Sequence, residues 1–216
     1  MRRALLAVAL RGIAAWDRLR LRALAWLHPG LDVHPDASSN LACASFRLAP
    51  GSCLRIGAGV VTERRRGALY FELEPGAQVE IGAGTWLRTA LGPVVVAAFE
   101  GARIEVGPEC FLNGCHLSAK QSVRLGRRAM LGPGARVFDA DQHDLDAGHP
   151  ERRAPVEIGD CAWIAADTTV LRGVRIGEHS VVGTRSLVTR DVPPHSLAYG
   201  TPAEVRGPVG DRSQSR

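Results

Sequence analysis

One polar segment gathers the side chains of this sequence that could do acid–base chemistry. Residues 138–155, within "VFDADQHDLDAGHPERRAPVEIG", contain two histidines, His143 and His149, and five acidic residues. A histidine titrates near neutral pH and can act as a general base, and a carboxylate on its second ring nitrogen fixes the tautomer. The segment is therefore a candidate catalytic loop, with a solvated surface loop as the alternative. The aspartates that could orient a ring are Asp139, Asp141, Asp144 and Asp146.

The candidate loop interrupts a six-residue repeat. A unit of six residues supplies one short strand and one tight corner, so three units close a triangular coil and successive coils stack about 4.8 Å apart. Propellers and sandwiches have much longer periods. The spacing predicts an all-β parallel β-helix from which residues 138–155 project. The aliphatic repeat positions, expected to point inward, are Leu125, Leu131, Val137, Ile158, Ile164, Val170, Ile176, Val182 and Val188. Small residues recur at the fifth position of each unit: Ala129, Ala135, Ala162, Thr168, Ser180 and Ser186.

The chain divides into three parts. Residues 1–28 are rich in Leu, Ala and Arg and predict an amphipathic helix, residues 29–206 form the β-helix domain, and residues 207–216 read as a flexible tail. In the helix, Leu6, Leu10, Ile13, Leu21 and Leu24 share one face, while Arg11, Arg18 and Arg22 share another. Asp17 and Arg20 interrupt the apolar stripe. The helix could pack on its own domain or a neighbouring subunit, or it could lie on an anionic membrane surface.

Composition and charge limit the classes of partner that the protein could bind. The formal net charge is +5, and Lys120 is the only lysine among the basic residues. An acidic lipid surface or a phosphorylated small molecule suits this charge. Nucleic acid is the weakest of the anionic candidates, because no recognition-helix or zinc-finger pattern occurs and aromatic residues do not alternate with basic ones.

Cysteine usage and the N-terminal sequence favour a cytoplasmic protein. The five cysteines are odd in number and form no CxxC motif, which argues against a disulfide framework and a zinc site. Cys110 and Cys161 occupy small-residue positions of the repeat and are expected to be buried thiols. The apolar run from Ala4 to Leu10 is short and is followed by Arg11 without a clear cleavage site, so it does not read as a signal peptide.

Residues 50–206 resemble the hexapeptide-repeat acyltransferases. The strongest match is residues 156–206, which include "IGDCAWIA", "VVGTRSLVTRDVP" and "YGTPAEVR". The resemblance implies that the parallel β-helix is left-handed. The N-terminal helix and the "DADQHDLD" segment are most similar to the maltose and galactoside O-acetyltransferase branch, and more narrowly to O-acetyltransferases of surface-polysaccharide biosynthesis.

The resemblance also implies roles for individual residues around the acceptor. The "HDLD" run matches the family's "HPLD"-like catalytic segment and nominates His143 as the general base, although the loop here is one residue longer. Asn113, in "FLNGCHLSA", would hydrogen-bond a sugar hydroxyl or polarise the developing oxyanion, or it is an ordinary corner asparagine. Asp141 and Trp163 are expected beside the acceptor, and packing is an equal alternative for the tryptophan. His149 is interpreted as a solvated residue.

The implied acyl donor is acetyl-coenzyme A, and no metal ion is expected. Family members lay the donor along the C-terminal coils, where small residues approach the pantetheine arm and basic residues meet the phosphates. The matching positions are Ala165, Thr184, Thr189 and Arg190, with Arg185 and Arg206 as weaker candidates. An arginine at position 190 keeps the charge of the lysine common there.

The predicted reaction is transfer of an acetyl group from acetyl-coenzyme A to a hydroxyl of a nucleotide- or lipid-linked sugar during synthesis of O-antigen, capsule or exopolysaccharide. We expect a homotrimer with the active site between subunits, a cytoplasmic location that could include the inner membrane face, and direct transfer without an acyl-enzyme.

Three alternatives remain open. The chain could N-acetylate a nucleotide-linked amino sugar, or it could be a non-catalytic β-helix scaffold. A metal-dependent enzyme of the γ-carbonic-anhydrase kind needs three histidines on stacked coils, and His116, His143 and His179 do not show that spacing.

Overall fold

The computed structural model describes residues 2–214. A long helix, α1 (Arg2–Leu27), leads into a succession of short strands and one 3₁₀ helix (Ser39–Cys43). The predicted helix over residues 1–28 is thus confirmed for its described part. The strands are β1 Leu31–Val33, β2 Ser45–Leu48, β3 Cys53–Ile56, β4 Val61–Thr62, β5 Leu69–Leu73, β6 Gln78–Ile81, β7 Trp86–Arg88, β8 Val94–Ala98, β9 Arg103–Val106, β10 Phe111–Asn113, β11 His116–Ala119, β12 Ser122–Leu125, β13 Met130–Leu131, β14 Arg136–Phe138, β15 Val156–Ile158, β16 Trp163–Ile164, β17 Thr169–Val170, β18 Arg175–Ile176, β19 Val181–Val182, β20 Leu187–Val188, β21 Ser196–Gly200 and β22 Ala203–Pro208.

These strands form the three faces of a triangular prism. Face 1 has the order β1-β3-β6-β9-β12-β15-β18, face 2 the order β22-β21-β19-β16-β13-β10-β7-β4, and face 3 the order β2-β5-β8-β11-β14-β17-β20. The chain visits face 1, then face 2, then face 3 in each coil, and every pairing within a face is parallel except that of β21 with β22. Three corners result, which we name by the faces they join: corner 1/2, corner 2/3 and corner 3/1.

The core of the prism is the stack of repeat positions. Each predicted aliphatic position from Leu125 to Val188 is at most 2% exposed, and the small fifth positions are equally buried. Hydroxyls at those fifth positions find partners: Thr168 Oγ1 donates to Gly183 O at 3.0 Å, and Ser186 Oγ donates to the same carbonyl at 2.7 Å. The period-six prediction is therefore confirmed at the level of individual side chains.

Close stacking of coils explains the glycine that follows the aliphatic residue in "IG". A Cβ added to Gly159 would lie 2.5 Å from the backbone nitrogen of Glu178 in the next coil. No real Cβ tolerates that distance, so the position requires glycine. Several corners instead place larger residues in the left-handed region, such as Arg128 (φ 58°), Cys161 (φ 56°) and His179 (φ 56°). Left-handed corners of this prism therefore also hold residues with large side chains.

Helix α1 packs across the first coil by only the C-terminal part of the predicted face, and residues 9–13 are exposed. Leu21 is buried and Leu24 packs against the core, but Leu10 and Ile13 are 55% and 41% exposed. The buried residue that interrupts the predicted stripe is Asp17, which is 0% exposed. Arg64 binds it with two hydrogen bonds, of 2.7 and 3.2 Å, so a paired carboxylate occupies the docked face. Leu6 lies outside the side chains that the structure describes. No helix within residues 2–214 is both long and apolar enough to cross a membrane.

The C-terminal residues extend along the prism. Strand β22 continues to Pro208, beyond the expected domain boundary at residue 206. Val209 N donates to His195 O at 2.7 Å, and Arg212 N donates to His179 Nδ1 at 2.9 Å. The described part of the expected flexible tail, residues 207–214, is therefore hydrogen-bonded to the last coils.

Candidate active site

The candidate loop leaves the prism after β14 and returns at β15, at corner 3/1. Its two limbs pair with one another as an irregular hairpin. Asp141 N donates to Arg152 O at 3.0 Å, and Leu145 N donates to His149 O at 3.0 Å. Residues 141–150 are almost all exposed, so the hairpin projects from the corner and carries its histidines into solvent.

A buried carboxylate anchors the base of the loop. Asp139 is 0% exposed and accepts backbone N–H groups of Lys120 at 2.7 Å, Gln121 at 2.7 Å and Ser122 at 2.6 Å. These three donors belong to the same corner in the coil below. Charge-assisted bonds of this kind are stronger than neutral ones, so Asp139 fixes where the loop departs. Asp139 therefore has a structural position and is not free to orient a histidine.

Two cations clamp the loop from the coils below and above. Lys120 Nζ donates to Gln142 O at 2.8 Å and to Glu151 Oε1 at 2.5 Å. From above, Arg172 Nε donates to Asp141 Oδ1 at 2.5 Å. These partners hold the pKa of Glu151 and the pKa of Asp141 below their usual values, since each cation favours the ionised carboxylate. The predicted acceptor-binding Asp141 is thus engaged by Arg172 in this structure.

The two histidines of the loop differ in their surroundings. His143 is exposed, and among residues 2–214 none of the four candidate aspartates hydrogen-bonds its ring. Asp144 Oδ1 accepts Glu151 N at 2.6 Å instead. His149 Nδ1 lies 2.8 Å from Asp146 Oδ1, and this contact lowers the pKa of Asp146. Within the chain, the oriented histidine is the one that sequence reasoning treated as solvated.

Asn113 lies at the end of β10, where face 2 turns into corner 2/3. The residue is only 5% exposed, and its Oδ1 is buried without a hydrogen-bond partner among the described residues. An unsatisfied buried acceptor costs about 1 to 3 kcal/mol, so an external donor at this oxygen would be favourable. Sequence alone nominated the residue but could not indicate that this acceptor is free.

Five of the six predicted donor residues occupy two corners, and the sixth, Arg206, lies in β22. Ala165, Thr184 and Arg185 lie at corner 2/3, and Thr189 and Arg190 lie at corner 3/1 in the last coils. Corner 3/1 also carries the loop, then Arg172 above it, then Arg190 one coil further. The structure therefore stacks the clamped loop and Arg190 along one edge of the prism.

The arginines predicted to bind the donor differ in whether a carboxylate of the chain already pairs with them. Arg206 Nη2 contacts Glu204 Oε2 at 3.0 Å, and Arg185 Nε lies 3.9 Å from Asp167 Oδ2. Arg190 is exposed and has no carboxylate within 4.0 Å in the described part of the chain. A cation without an internal partner can pair with a phosphate, so the residues at corner 3/1 fit an anionic donor.

Trp163 lies on the outer surface of face 2 and is 39% exposed. The guanidinium of Arg212 sits 5.3 Å from the centre of its ring, and Arg212 Nε donates to Cys161 O at 3.2 Å. Sequence reasoning missed Arg212, because nothing in the tail marks it as part of a packed surface. Below Trp163, Met130, Phe111 and Trp86 stand at successive register positions of the same face.

Cys110 and Cys115 are not activated nucleophiles. All five are free thiols, and Cys110 and Cys115 are buried. Burial raises the pKa of each of these two thiols to about 12. A thiol with such a pKa is not a thiolate at neutral pH and cannot attack a thioester efficiently. Among residues 2–214, no three His, Cys, Asp or Glu side chains converge as metal ligands.

Sequence comparison identifies acetyltransferases as relatives. A Staphylococcus aureus (strain COL) protein with an acetyltransferase name is 44% identical over 72 residues, which are 32% of this chain and 36% of the relative. Galactoside O-acetyltransferase of Lactococcus lactis subsp. lactis (strain IL1403) is 37% identical over 93 residues, 41% of this chain and 44% of the relative. The chain thus spans less than half the length of these curated relatives. No protein-family model matches it.

Solved structures share the fold. The polySia specific acetyltransferase NeuO has a TM-score of 0.59 and 19% identity, over 80% of this chain and 83% of its own. The N-acyltransferase AntD from Bacillus cereus, solved with dTDP and coenzyme A, has a TM-score of 0.59 and 15% identity, over 74% of this chain and 85% of its own. These matches confirm the left-handed parallel β-helix and, with the sequence relatives, the resemblance to hexapeptide-repeat acetyltransferases.

Proposed function

We propose that this chain, whose relatives and structural neighbours are hexapeptide-repeat acetyltransferases, moves an acetyl group from acetyl-coenzyme A to a hydroxyl of a sugar in surface-polysaccharide biosynthesis. The observation that carries the proposal is the arrangement of corner 3/1. A histidine-bearing loop is clamped there by Lys120 and Arg172, and Arg190 lies at the same corner one coil above Arg172, with no carboxylate within 4.0 Å among the described residues.

His143 is the proposed general base. The thioester of the donor supplies an activated acyl group. The His143 ring removes the proton from the attacking sugar hydroxyl as its oxygen bonds to the acyl carbon, and it returns that proton to the departing sulfur. Sugar ester and free thiol are the products. Base catalysis of this kind contributes about 10²- to 10⁴-fold.

Asn113 is the proposed partner of His143 on the acceptor side. Its unsatisfied Oδ1 can accept a hydrogen bond from a second sugar hydroxyl, and its amide can donate to the oxyanion. The buried thiols Cys110 and Cys115 support direct transfer in a ternary complex, because neither is ionised for attack. The five free cysteines also suit the reducing cytoplasm.

The proposed site needs two subunits. His143 projects from corner 3/1, whereas Asn113 and the small residues Ala165 and Thr184 lie at corner 2/3, and face 3 separates the two corners. In a homotrimer, corner 3/1 of one prism can meet corner 2/3 of the next. The donor would then lie between subunits, with Arg190 on its phosphates and small residues along its arm.

The names of the relatives support the proposed acceptor class. The Lactococcus relative is named for a galactoside, and NeuO and OatWY are named for polysialic acid. These proteins support a sugar acceptor, nucleotide- or lipid-linked, in O-antigen, capsule or exopolysaccharide synthesis. N-acetylation of an amino sugar is the second candidate, since AntD shares the fold as an N-acyltransferase.

An assay with paired acceptors tests the proposal. The full chain would be incubated with acetyl-coenzyme A and either a hydroxyl sugar, such as a galactoside or an oligosaccharide, or a matching amino sugar. We expect thiol release with the hydroxyl acceptor and an alkali-labile ester in the product. An alkali-stable amide with the amino sugar would favour the second candidate. Absence of turnover together with absence of thermal stabilisation by coenzyme A would contradict both.

A further inference from the structure

Helix α1 leaves a large apolar face uncovered. Asp17 and Leu21 face the β-helix, yet the helix as a whole carries six of the thirteen large hydrophobic side chains that are exposed in the described part of the chain. They are 41% to 82% exposed, with Trp26 the most open. These six residues are Leu10, Ile13, Trp16, Leu19, Trp26 and Leu27.

Four of the six side chains form one surface. Trp16, Leu19, Trp26 and Leu27 fall within an arc of about 100° on a helix that turns about 100° per residue, whereas Leu10 and Ile13 lie nearer the side of Asp17 and Leu21 and are exposed in the undocked segment 9–13. Single exposed hydrophobic residues need no explanation, but a contiguous apolar face marks an interaction site. Tryptophan joins an apolar body to a polar N–H, a combination suited to the boundary between water and hydrocarbon.

The charge of the chain is concentrated on the same helix. Residues 1–28 contain six arginines and one aspartate, whereas the remainder contains 21 basic and 21 acidic residues. The whole net charge of +5 therefore comes from this segment. The single aspartate, Asp17, is buried against Arg64 and presents no negative charge outward. Arg11 and Arg22 are exposed beside the apolar face and have no carboxylate within 4.0 Å among residues 2–214.

We infer that the outward face of α1 binds the surface of an anionic phospholipid bilayer. The helix lies flat, with its tryptophans and leucines at the level of the headgroups and acyl chains, and with its arginines on lipid phosphates. An anionic bilayer can cover the apolar side chains and also neutralise the arginines. A second copy of the chain could cover the apolar side chains but would not neutralise the arginines, because its own α1 carries the same positive charge.

Vesicle flotation with the full chain tests the inference. Vesicles would contain phosphatidylcholine alone or phosphatidylcholine with phosphatidylglycerol. We expect flotation with the anionic vesicles, at least tenfold weaker flotation with the neutral ones, and release at high salt because exposed charges are screened. Wild-type protein that stays unbound to anionic vesicles at low salt would overturn the inference.

Variants locate the binding surface. The triple change Trp16→Gln, Leu19→Gln and Trp26→Gln alters only exposed positions, so circular dichroism should be unchanged while affinity for anionic vesicles falls at least tenfold. The matched control, Leu91→Gln with Val205→Gln, removes two exposed hydrophobic residues elsewhere and should bind as wild type does. Equal loss in both variants would overturn the inference.

Two further readouts separate the lipid surface from other occupants of the face. Arg11→Gln with Arg22→Gln should abolish the preference for anionic over neutral vesicles. Light scattering of the triple variant should give the wild-type mass, and a smaller mass would assign the face to a second copy instead. Because flotation is read without turnover, failure here leaves the proposed acetyl transfer untouched.

Discussion

At the scale of single residues, the two histidines of the loop differ in the evidence for a catalytic role. His143 resembles the catalytic histidine of hexapeptide-repeat acyltransferases but has no carboxylate hydrogen-bonded to its ring among residues 2–214, whereas His149 is bound to Asp146 at 2.8 Å. An exposed His–Asp pair is also a common surface feature of little energetic weight. In the proposed trimer, a neighbouring subunit could supply the partner that His143 lacks here.

Single alanine variants distinguish the two histidines. We expect His143→Ala to lower kcat by about 10²- to 10⁴-fold, or about 3 to 5 kcal/mol of barrier, with KM for acetyl-coenzyme A nearly unchanged. The wild-type rate should fall on acidification through the range in which imidazoles titrate, and the variant should lose this dependence. His149→Ala is the control. If it is the damaging change, the base has been assigned to the wrong histidine.

Arg190 gives a second prediction, because it is exposed at the loop's corner and has no carboxylate within 4.0 Å among residues 2–214. Arg190→Glu should raise KM for acetyl-coenzyme A by about tenfold while kcat changes little, since a phosphate contact remote from the thioester serves ground and transition states alike. Arg206→Glu should have a smaller effect because Glu204 already pairs with that guanidinium. A loss confined to kcat would show that Arg190 acts on the chemistry.

Individual residues also show which features of the structure could be predicted from the sequence. The aliphatic positions from Leu125 to Val188 were predictable because a six-residue period leaves one inward direction per unit. The partners of Asp141 and Asp146 were not, because five loop carboxylates and several nearby cations allow many pairings that only the folded corner decides. Asp17 looked like a defect in the helix stripe. Its partner Arg64 lies 47 positions away, which no local pattern can indicate.

At the scale of elements, we expect residues at the base of the loop to contribute more to the free energy of unfolding than residues at its tip. Asp139 is buried under three backbone donors, and Asp144 is exposed with one. We expect Asp139→Ala to lower the free energy of unfolding by about 2 to 4 kcal/mol, since it removes the charged acceptor of three part-buried N–H groups.

Urea denaturation measures that loss. Asp144→Ala is the matched control and should cost less than about 1 kcal/mol, because a surface substitution away from buried groups has little effect. Equal urea midpoints for the two variants would show that the hydrogen bonds of Asp139 are not needed for stability. A kcat for Asp139→Ala that falls without loss of stability would instead place the residue in the chemistry.

At the scale of the whole molecule, the separation of the two corners makes the proposed trimer testable by mixing subunits. His143→Ala and Asn113→Ala proteins should each be nearly inactive. Co-assembled at equal amounts, they should recover about one quarter of wild-type activity, because one site in four then joins an intact His143 to an intact Asn113 across a cyclic interface. Sedimentation should give the mass of a trimer. A monomer, or mixed assemblies with no recovered activity, would contradict a shared site.

The two ends of the prism have a consequence for polymerisation. Parallel coils expose rows of backbone N–H and C=O groups at each end, and another prism could add there as if it were the next coil. Helix α1 and the 3₁₀ helix cover the first coil, and the antiparallel strand β22 ends face 2 at Pro208, which has no N–H to offer. A chain that lacks residues 1–27 should therefore form filaments by end-to-end stacking, visible by negative-stain electron microscopy and growing with protein concentration. Dispersed single particles at high concentration would mean that the helix is not a cap. The helix that we infer to bind lipid would thus also prevent the β-helices of separate chains from stacking end to end.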